Sequence, residues 1–598
     1  MTNLEIAELL RAVAASYELI NANKNKFKII AYERAADAVE HLSSEAKDLW
    51  DEDKLVDIPG IGPSISANLS ELFKTGGSRH FEAIMKGISP AVFELLDLPG
   101  IGAKTAFKLV NELNLSSAKN ATADLEKAAK EGKIAKMEGF GEESQADILR
   151  TIEENRRKVK RYLLPYAENI ANEVINWMKE DNSLVKADAL GSIRRKASTV
   201  GDIDIAVASN KPLDALDRFT RYPKTSRVLE KGTRTASIIL PGDVQVDLMA
   251  QEPQSYGALL QHFTGSKHHN IALREYALKK GFSLSEYGIK KVRDAESKIK
   301  KFPTEEEFYK YLGMEWIPPE LREDTGELEA ALKKQIPKLI KLSDVKADLQ
   351  IHSDFDIETS HDLGESSMED VIIKAEELGY EYLAFTEHNP SHSRHTENQI
   401  IDILKRKSEA IGKLNYSIMH KKDNIVKTVK SRIKKVFNSL EIDILPSGEL
   451  AISDKALELL DFALVSIHSS FDQERSIATK RVLSALNHPK VKIFAHPTGR
   501  RLNEREGVEY DWLQIFDECK KKNIWIEINA DPTRLDLPDF LVKEAIDNNV
   551  KLTLGTDSHN LQCLNNMQHG IDVARRGWAI KENIINCLTL EEFEKVLK

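Results

Sequence analysis

Apolar and polar residues follow three different patterns along the chain. Up to about residue 160 the chain reads as short helices joined by Gly-Pro turns. From about Arg161 to Trp316, alternating apolar and polar positions predict strands mixed with helices. After Val345, apolar runs that end in polar residues alternate with helix-like segments such as MEDVIIKAEELGY. A chain of 598 residues exceeds one hydrophobic core, so we expect several domains.

The helical region contains a near-repeat. DIPGIGPSISANLSELF (57–73) and DLPGIGAKTAFKLVNEL (97–113) share it, and MEGFGEESQADILRTI (137–152) is a weaker third copy. In each copy a Gly-x-Gly turn precedes a helix, so free backbone N–H groups and the positive helix end face outward together and suit a phosphate. A hairpin that only packs is the alternative, but the repetition favours backbone binding of DNA. The predicted contacts are Gly60, Gly62, Gly100, Gly102, Gly139 and Gly141.

Two aspartates lie one residue apart in the strand-like run VGDIDIAVAS (200–209). Side chains alternate faces in a strand, so Asp202 and Asp204 project together while the isoleucines of the run point into a core. Like charges on one face resist burial unless a cation lies between them. Asp247, on a second alternating strand, would complete three carboxylates able to hold two Mg²⁺ ions for nucleotidyl transfer. A turn-capping pair or one structural ion is the alternative.

Apolar runs in the last part of the chain end in ligand-type residues: ADLQIHS, YLAFTEHN, LEIDIL, FALVSIHSS, KIFAHPTGR, IWIEINAD and LTLGTDSHN. Strands that alternate with helices imply a parallel sheet, and chemistry at the carboxyl end of every strand is the layout of an α/β barrel. We therefore expect a distorted (βα)7 barrel. The strand ends supply His352, Glu387, His388, Glu441, His468, His496, Asp557 and His559, and Asp362 lies in the loop after the first strand.

This cluster of strand ends indicates metal chemistry. Imidazole plus carboxylate without thiolate suits Mn²⁺, Zn²⁺ or Fe²⁺, and so large a set can hold two or three ions. Clustered divalent metals polarise a phosphoryl oxygen and lower the pKa of bound water. The pattern therefore predicts a hydrolase for phosphate esters, with a purely structural metal site as the alternative.

Composition narrows the class of protein. The chain has three cysteines without CxxC spacing, so neither a disulfide framework nor a thiolate zinc site is expected. The net charge of −10 averages over acidic metal sites and does not exclude nucleic acid, and the basic runs 150–161 and 421–435 are most simply solvated helix faces. The start MTNLEIAELLRAV lacks a secretion signal, and no stretch reaches membrane-spanning length. We expect a cytoplasmic monomer.

The C-terminal motifs resemble the PHP (polymerase and histidinol phosphatase) domain, because LQIHS, TEHN, EIDILPSG, SIHSSF, AHPTGR, EINADPTRLDL and GTDSHN occur in order. In polymerase-linked members this implies a manganese-favouring 3′–5′ exonuclease with 3′-end phosphoesterase activity. Gln350 stands where many members have the first His of an H-x-H pair, and Glu387 where TDH is more usual. In the long loop HSDFDIETSHDLG we assign Asp362, rather than Asp354 or Asp356, as a ligand. The implied ligands are His352, Asp362, His388, Glu441, His468, His496, Asp557 and His559.

The middle region, 161–316, resembles the palm and nucleotide-binding portion of family X DNA polymerases through GSIRRKASTVGDIDIAV, QVDLM and HFTGSKHHNIALR. Upstream, NANKNKFKIIAYERAADAV resembles the amino-terminal domain of that family, and the glycine turns resemble its DNA-binding motifs. The resemblance implies that Asp202 and Asp204 bind both metals and that Asp247 binds the catalytic one.

The same resemblance implies a nucleotide site. Ser192 and Arg195, whose hydroxyl and guanidinium suit phosphate, would contact the triphosphate. Asn270 would reach the minor-groove edge of the base, and Arg274 would monitor the templating side. The set is completed by Phe263 and Gly265 for the sugar pocket, by His262 where the family often has Tyr, and by Gly191 and Gly201.

We therefore predict a multidomain chain: a helical domain with a helix-hairpin-helix turn (1–85), a helical DNA-binding domain (86–160), an α+β nucleotidyltransferase palm (161–255), a nucleotide-selection subdomain (256–316), a linker with a short helix (317–344) and the α/β barrel (345–598). The predicted function is gap-filling repair synthesis on primer-template DNA with dNTPs and Mg²⁺, joined to a 3′–5′ exonuclease that uses Mn²⁺ or Zn²⁺. One alternative is a small-molecule phosphatase that an inactive polymerase-like module tethers to DNA. Another is a non-catalytic DNA-binding scaffold.

Overall fold

The computed structural model describes residues 3–40, 46, 50, 55–58, 61–96, 98, 101–115, 120–156, 161–181, 184–241, 244–292, 298–420 and 432–598. These residues form two compact units, Met1–Lys160 and Arg161–Lys598, and each is described by itself. The turn glycines Gly60 and Gly100 lie outside the described residues, as does most of the basic run 421–435. No helix within the described ranges has the length and hydropathy needed to cross a membrane.

The first unit is built from helices. They are α1 (Asn3–Glu40), α2 (Pro63–Thr75), α3 (Arg79–Met85), α4 (Pro90–Leu95), α5 (Ala103–Leu113), α6 (Ala121–Lys130) and α7 (Glu142–Arg156). Extended backbone at Asn21 interrupts α1. Leu10 and Phe81 belong to one apolar cluster, and Leu109 and Ile152 belong to a second. The helical N-terminal region that the sequence predicts is confirmed.

The second unit begins with the predicted palm. Its strands are β1 (Tyr162–Leu163), β2 (Leu184–Ala189), β3 (Thr199–Val200), β4 (Ile203–Ser209), β5 (Arg227–Lys231), β6 (Thr235–Leu240) and β7 (Val244–Gln251), and its helices are α8 (Leu164–Lys179), α9 (Gly191–Arg194) and α10 (Pro212–Phe219). Five strands form one sheet in the order β2-β4-β7-β6-β5, in which only β4 and β7 run parallel. Ile203 and Ile205 of β4 and Val246 and Leu248 of β7 are fully buried, so the opposite positions of both strands face away from this core.

A small helical subdomain follows the palm. It contains α11 (Tyr256–Thr264), α12 (Lys267–Lys279), the hairpin β8 (Phe282–Ser285) and β9 (Gly288–Lys291), α13 (Glu305–Tyr311) and α14 (Glu327–Lys333). The segment 317–344, for which the sequence predicts a linker, does contain a short helix, α14. It also packs into the subdomain, because Ile317, Leu321, Ala331 and Leu339 share its core. The segment is therefore more than an exposed connection.

The C-terminal region alternates strands with helices. The strands are β10 (Ala347–Ile351), β11 (Tyr382–Phe385), β12 (Lys435–Asn438), β13 (Glu441–Asp443), β14 (Ala463–Ser466), β15 (Val491–Phe494), β16 (Trp525–Asn529) and β17 (Leu552–Gly555). The helices are α15 (Met368–Leu378), α16 (Glu397–His420), α17 (Asp454–Leu457), α18 (Arg475–Ala485), α19 (Trp512–Lys522), α20 (Asp539–Asp547), α21 (Met567–Arg576) and α22 (Leu590–Leu597). All strand pairs run parallel, as the alternation predicts.

The structure does not confirm the single closed barrel that we expected. The strands form a three-stranded sheet, β10-β11-β12, and a five-stranded sheet, β13-β14-β15-β16-β17. Two isolated bridges, Ile351 to Ser558 and His388 to Glu441, link the two sheets. The predicted run LEIDIL corresponds to β13, and a further strand that the sequence did not predict, β12, precedes it. The break at residues 439–440 lies between them, so β12 pairs in the first sheet and β13 in the second. The carboxyl ends of the strands nevertheless meet, and this meeting builds the site described below.

Candidate active sites and metal centres

Three carboxylates lie near one another on the palm sheet. The parallel register of β4 and β7 places Asp204 directly opposite Asp247, and Asp202 immediately precedes β4. Asp204 and Asp247 are half-buried and Asp202 is exposed, whereas their strand neighbours are buried. The alternation of a strand therefore puts the acidic side chains on the open face, as the sequence predicts.

Electrostatics make this carboxylate group unusual. Burial, followed by the charges of Asp202 and Asp247, raises the pKa of Asp204 to about 7, and the guanidinium of Arg195 only partly opposes the shift. Gln245 donates from Nε2 to both carboxylate oxygens of Asp247, at 3.0 and 3.1 Å, and orients that side chain. Crowded like charges of this kind are relieved by a divalent cation, so the donors fit oxygen-bound Mg²⁺ chemistry.

The turn that contains GSIRR lies against this acidic group. Gly191 has a positive φ of 53°, and a Cβ there would lie 3.0 Å from Oδ2 of Asp204. Ser192 follows it in α9, and its carbonyl accepts from the N–H of Ala197 at 3.0 Å. Glycine at position 191 therefore lets the backbone approach the carboxylates closely. Gly201 immediately precedes Asp202 in the chain.

Arg195 is held on two sides. Its Nη1 donates to the carbonyl of Thr264 at 2.8 Å, and its Nε donates to Oε1 of Glu323 at 2.8 Å. These bonds fix the plane of the guanidinium. The resemblance predicts that Arg195 contacts the triphosphate, but the sequence gives no indication of the partner Glu323.

The end of α11, the turn after it and α12 carry the remaining predicted nucleotide contacts. The rings of His262 and Phe263 meet edge to face with centroids 4.8 Å apart. Asn270 donates from Nδ2 to the carbonyls of His262, at 2.9 Å, and Gly265, at 3.1 Å. Arg274 is exposed, with Nη2 3.5 Å from Nε2 of His262. Burial and the Arg274 charge lower the pKa of His262, so its ring is neutral at neutral pH.

Gly265 allows this turn to close. A Cβ at that position would lie 2.5 Å from Cδ2 of His269 and 2.9 Å from Oδ1 of Asn270. His269 is fully buried and is itself held by Glu327, 2.6 Å from its Nδ1, and by Tyr309, 3.1 Å from its Nε2. The turn therefore packs on the buried His269 ring, whose hydrogen bonds to Glu327 and Tyr309 hold it in place.

The carboxyl ends of the C-terminal strands assemble a cluster of imidazoles and carboxylates. Four groups of three residues bring ligand atoms within 4.8 Å of one another: His352, His388 and His559; His361, His388 and His468; Glu441, His468 and His496; and His352, Glu441 and Asp557. The shared members make these groups one continuous cluster.

Glu441 lies at the centre of the cluster. Its Oε1 is 2.6 Å from Nε2 of His496 and 3.2 Å from Nε2 of His468, and its Oε2 is 3.3 Å from Nε2 of His352 and 3.6 Å from Nδ1 of His388. Burial by itself raises the pKa of Glu441, but the surrounding imidazoles outweigh burial and hold it well below its usual range. One buried carboxylate therefore interacts with four imidazole rings.

The donors of this cluster fit divalent metal ions. Buried ring nitrogens of His352, His388 and His496 have no hydrogen-bond partner among the described residues, and such nitrogens are the usual ligands of Zn²⁺ and Mn²⁺. Burial lowers the pKa of His352, but the nearby Asp557 and Glu441 carboxylates outweigh it and raise the pKa to about 10. The carboxylates therefore hold a proton on this ring wherever a cation does not take its place.

The repeated turns of the helical unit have matching backbone geometry. Gly62 and Gly102 precede α2 and α5 with φ, ψ of −82°, 170° and −77°, 168°, and the space beside each is open. Gly139 has a positive φ of 79°, and Gly141 accepts the first helical hydrogen bond before α7. These four glycines are exposed, so the turns present backbone N–H groups to solvent at successive helix starts.

Comparisons with known proteins match both the helical unit and the region that carries the predicted nucleotide contacts. Residues 259–323 match the DNA polymerase beta thumb family, residues 1–78 match a helix-hairpin-helix domain family, and residues 52–114 and 92–154 match the SAM-like helix-hairpin-helix tandem family. The DNA polymerase/3′-5′ exonuclease PolX of Bacillus subtilis (strain 168) is 33% identical over 600 residues, which covers the whole of both chains. The chain belongs to the family X DNA polymerases with a C-terminal PHP domain.

Two more distant relatives each match part of this family X chain. DNA polymerase lambda of Rattus norvegicus is 23% identical over 350 residues, which are 54% of this chain and 56% of the rat protein. A probable phosphatase of Syntrophotalea carbinolica is 22% identical over 161 residues, which are 25% of this chain and 65% of the bacterial protein.

The structure favours His361 over its neighbour Asp362 as a member of the PHP-domain cluster. Asp362 is exposed and joins none of the ligand groups found among the described residues, whereas His361 Nε2 lies 2.9 Å from Oδ2 of Asp443. The same Asp443 lies 2.6 Å from Nδ1 of His468 through its other oxygen. The loop has no periodicity that tells which side chain turns inward, so sequence reasoning chose the adjacent residue.

Asp443 was also missed, although the sequence carries a signal for it. Glu441 and Asp443 lie two residues apart in EIDIL, as Asp202 and Asp204 do in the palm, so both must face the same side of β13. Burial raises the pKa of Asp443, but hydrogen bonds with His361 and His468 outweigh it and hold the pKa far below its usual range. Asp443 therefore orients two rings of the cluster.

Two departures from the usual PHP motifs have structural explanations. Gln350 donates from Nε2 to Oε2 of Glu441 at 3.0 Å, so an amide supports the central carboxylate where many members have a histidine. Glu387 lies 2.5 Å from Nζ of the fully buried Lys407 and accepts from the backbone N–H of Ser353 at 3.2 Å. Glu387 therefore anchors the strand end beside His388 and lies outside the ligand groups of the described residues.

Proposed function

We propose that this chain is a DNA-directed DNA polymerase that fills gaps during DNA repair, and that its PHP domain is a metal-dependent 3′–5′ exonuclease. The observation that carries the proposal is the register of the palm strands, in which Asp204 faces Asp247 and follows Asp202 by two residues. The full-length relative is named for both activities, which supports assigning both to one chain.

Asp202, Asp204 and Asp247 are the proposed ligands of two Mg²⁺ ions. When bound, the ions would favour ionisation of the primer 3′-hydroxyl and offset charge on the triphosphate. Gln245 keeps the Asp247 carboxylate oriented, and the Gly191 turn brings Ser192 and backbone groups next to the same acids. Positioning and electrostatics account for most of the catalysis in such a reaction.

The incoming nucleotide would lie between the palm and the α11–α12 turn. Arg195 offers a fixed cation for the triphosphate, since its guanidinium is bonded on two sides. The neutral ring of His262 and the ring of Phe263 would flank the sugar. Asn270 and Arg274 are the proposed contacts to the base pair. Gly62, Gly102, Gly139 and Gly141, together with Gly60 and Gly100, would bind the DNA backbone.

The PHP domain would hold two or three Mn²⁺ or Zn²⁺ ions. When bound, they would polarise the scissile phosphodiester and lower the pKa of the attacking water. The proposed ligands are His352, His361, His388, Glu441, His468, His496, Asp557 and His559. Both sites consist of side chains from one chain, so we infer that the monomer is the working form.

The test is a paired assay of primer extension and primer degradation with Mg²⁺ or Mn²⁺. Asp204→Asn should lower extension by about a thousandfold and leave degradation intact, and His468→Ala should do the reverse. The exposed Asp214→Asn and the remote His488→Ala are matched controls that should change neither activity. Extension that survives Asp204→Asn would refute the polymerase site, and degradation that survives His468→Ala would place the nuclease elsewhere. A tethered phosphatase or a scaffold would show no extension in the unmodified chain.

A further inference from the structure

Helix α21 of the PHP domain contacts the nucleotide-binding turn of the palm directly. Nη1 of Arg576, the last residue of α21, donates to the carbonyl oxygen of Arg195 at 2.7 Å. The same Nη1 donates to Oε1 of Glu323 at 2.9 Å. Arg195 and Arg576 are far apart in the chain, yet both bond the same carboxylate oxygen of Glu323.

The contact is a chain of alternating charges. On its other edge Arg576 donates from Nε to Oδ2 of Asp539 at 2.7 Å, and its Nη2 lies 2.6 Å from the same oxygen. Two guanidinium groups therefore alternate with two carboxylates, in the order Arg195, Glu323, Arg576, Asp539. The Arg195 and Arg576 side chains are only 14% and 10% exposed. Partial burial makes these interactions stronger and less screened by salt than surface ion pairs.

The arrangement fixes the direction in which Arg195 points. Nε is bonded to Glu323 and Nη1 to the carbonyl of Thr264, and Nη2 has no hydrogen-bond partner among the described residues. Burial by itself raises the pKa of Glu323, but the charges of Arg576 and Arg195 outweigh it and keep the carboxyl ionised. Without Arg576, the Glu323 carboxylate would contact only the Arg195 guanidinium, and the Glu323 side chain would gain rotational freedom.

We propose that Arg576 is a positioning residue for nucleotidyl transfer, because it holds Glu323 and the Arg195 carbonyl and thereby aims the Arg195 guanidinium at the triphosphate of the incoming dNTP. The PHP domain would then contribute to nucleotide affinity at the polymerase site, in addition to its own chemistry. This inference rests on the proposed role of Arg195 as a triphosphate contact.

A neighbouring arginine provides a matched control. Arg575 donates from Nε to Oε1 of Glu320 at 2.8 Å and from Nη1 to the carbonyl of Ile340 at 2.8 Å. It lies on the same helix and joins the PHP domain to the segment after the α11–α12 subdomain, but its hydrogen bonds do not involve Arg195 or Glu323. A general weakening of this interface should therefore affect Arg575→Gln and Arg576→Gln alike, whereas a specific positioning role should separate them.

The experiment measures single-nucleotide gap filling by the full chain as a function of dNTP concentration. Arg576→Gln should raise KM for dNTP about five- to tenfold with kcat within about twofold, since a charge-assisted contact that orients a binding group is lost. Arg576→Lys should recover part of the loss, because an ammonium can hold Glu323 but cannot bond both partners and Asp539 as the fork does. Arg575→Gln should leave KM within about twofold of the unmodified chain. Degradation of single-stranded DNA by each variant reports on the fold of the PHP domain and should be unchanged.

A double variant and an Arg195 variant decide the outcome. Arg576→Gln combined with Glu323→Gln should raise KM no more than the stronger single variant, because both act through one network. If Arg195→Gln raises KM for dNTP but Arg576→Gln does not, or if Arg575→Gln raises it equally, Arg576 has no positioning role and the polymerase proposal stands. If Arg195→Gln leaves KM unchanged, the proposed triphosphate contact itself fails.

Discussion

The palm site is built from three carboxylates, whereas the PHP-domain site combines imidazoles with carboxylates. In the palm, burial and then the like charges of Asp202 and Asp247 raise the pKa of Asp204 to about 7. In the PHP domain, opposite charges attract, so the pKa of Glu441 lies well below its usual range while that of His352 rises to about 10. A cation entering the palm replaces the proton that burial and repulsion favour on Asp204, whereas a cation entering the PHP domain must displace protons that neighbouring carboxylates hold on imidazole rings. The two sites should therefore respond differently to the loss of one group and to pH.

The largest expected effect is the loss of the central PHP-domain carboxylate. Glu441→Gln removes the carboxylate charge that lies within 3.6 Å of ring nitrogens of four imidazoles, so degradation should fall by about a thousandfold while extension stays within about twofold. The measurement is the paired assay in Mn²⁺, with bound metal counted in the purified protein. The exposed Glu449→Gln is the matched control. Degradation that tolerates Glu441→Gln would mean that the imidazoles alone hold the ions.

A smaller effect on degradation should distinguish His361 from its neighbour Asp362. His361→Ala should lower degradation about ten- to a hundredfold, because it removes a candidate ligand that Asp443 orients. Asp362→Ala should have little effect, since that side chain is exposed. The two variants differ by one position and serve as controls for each other in a Mn²⁺ titration of degradation. The reverse result would restore Asp362 as the ligand and make His361 a surface residue.

The outcome at the palm shows what alternation along a strand can predict. Asp202, Asp204 and Asp247 each follow from a period of two in a strand with one buried face, and the parallel register then brings two of them opposite each other. The regular strand ends of the PHP domain likewise place seven of the eight predicted ligands in the observed groups. For residues on strands or at strand ends, the local sequence pattern was therefore sufficient to predict which side chains lie together.

The features that the sequence did not predict depend on tertiary structure, which local sequence patterns do not reveal. Which residue of the loop HSDFDIETSHDLG turns inward depends on the path of that loop, which has no period. The closed barrel failed because β12 and β13 are separated by a two-residue break and belong to different sheets. The contact of Arg576 with Arg195 joins two domains, and the charged run that contains Glu323 reads in sequence only as a linker.

The smallest expected effect, and the one that tests the electrostatic difference most directly, is the dependence of each metal requirement on pH. Asp204 must lose its proton to bind a cation, and its raised pKa of about 7 means that the proton is held below neutral pH. The Mg²⁺ concentration for half-maximal extension should therefore rise about tenfold per pH unit below pH 7 and level off above it. Burial lowers the pKa of His468, but Asp443 and Glu441 outweigh burial and raise it to about 9. The Mn²⁺ requirement for degradation should consequently keep falling between pH 7 and 9.

Both titrations use one DNA substrate and one buffer series, with dNTP kept saturating throughout the extension curve. Two curves that level off at different pH values would support the view that the proton on Asp204 governs metal binding in the palm and that protons on imidazole rings govern it in the PHP domain. Curves that level off together near neutral pH would contradict it, because a shared transition would point to the DNA or the nucleotide rather than to these side chains. An extension curve that is flat from pH 6 to 8 would mean that burial and the charges of Asp202 and Asp247 do not raise the pKa of Asp204 in the working complex.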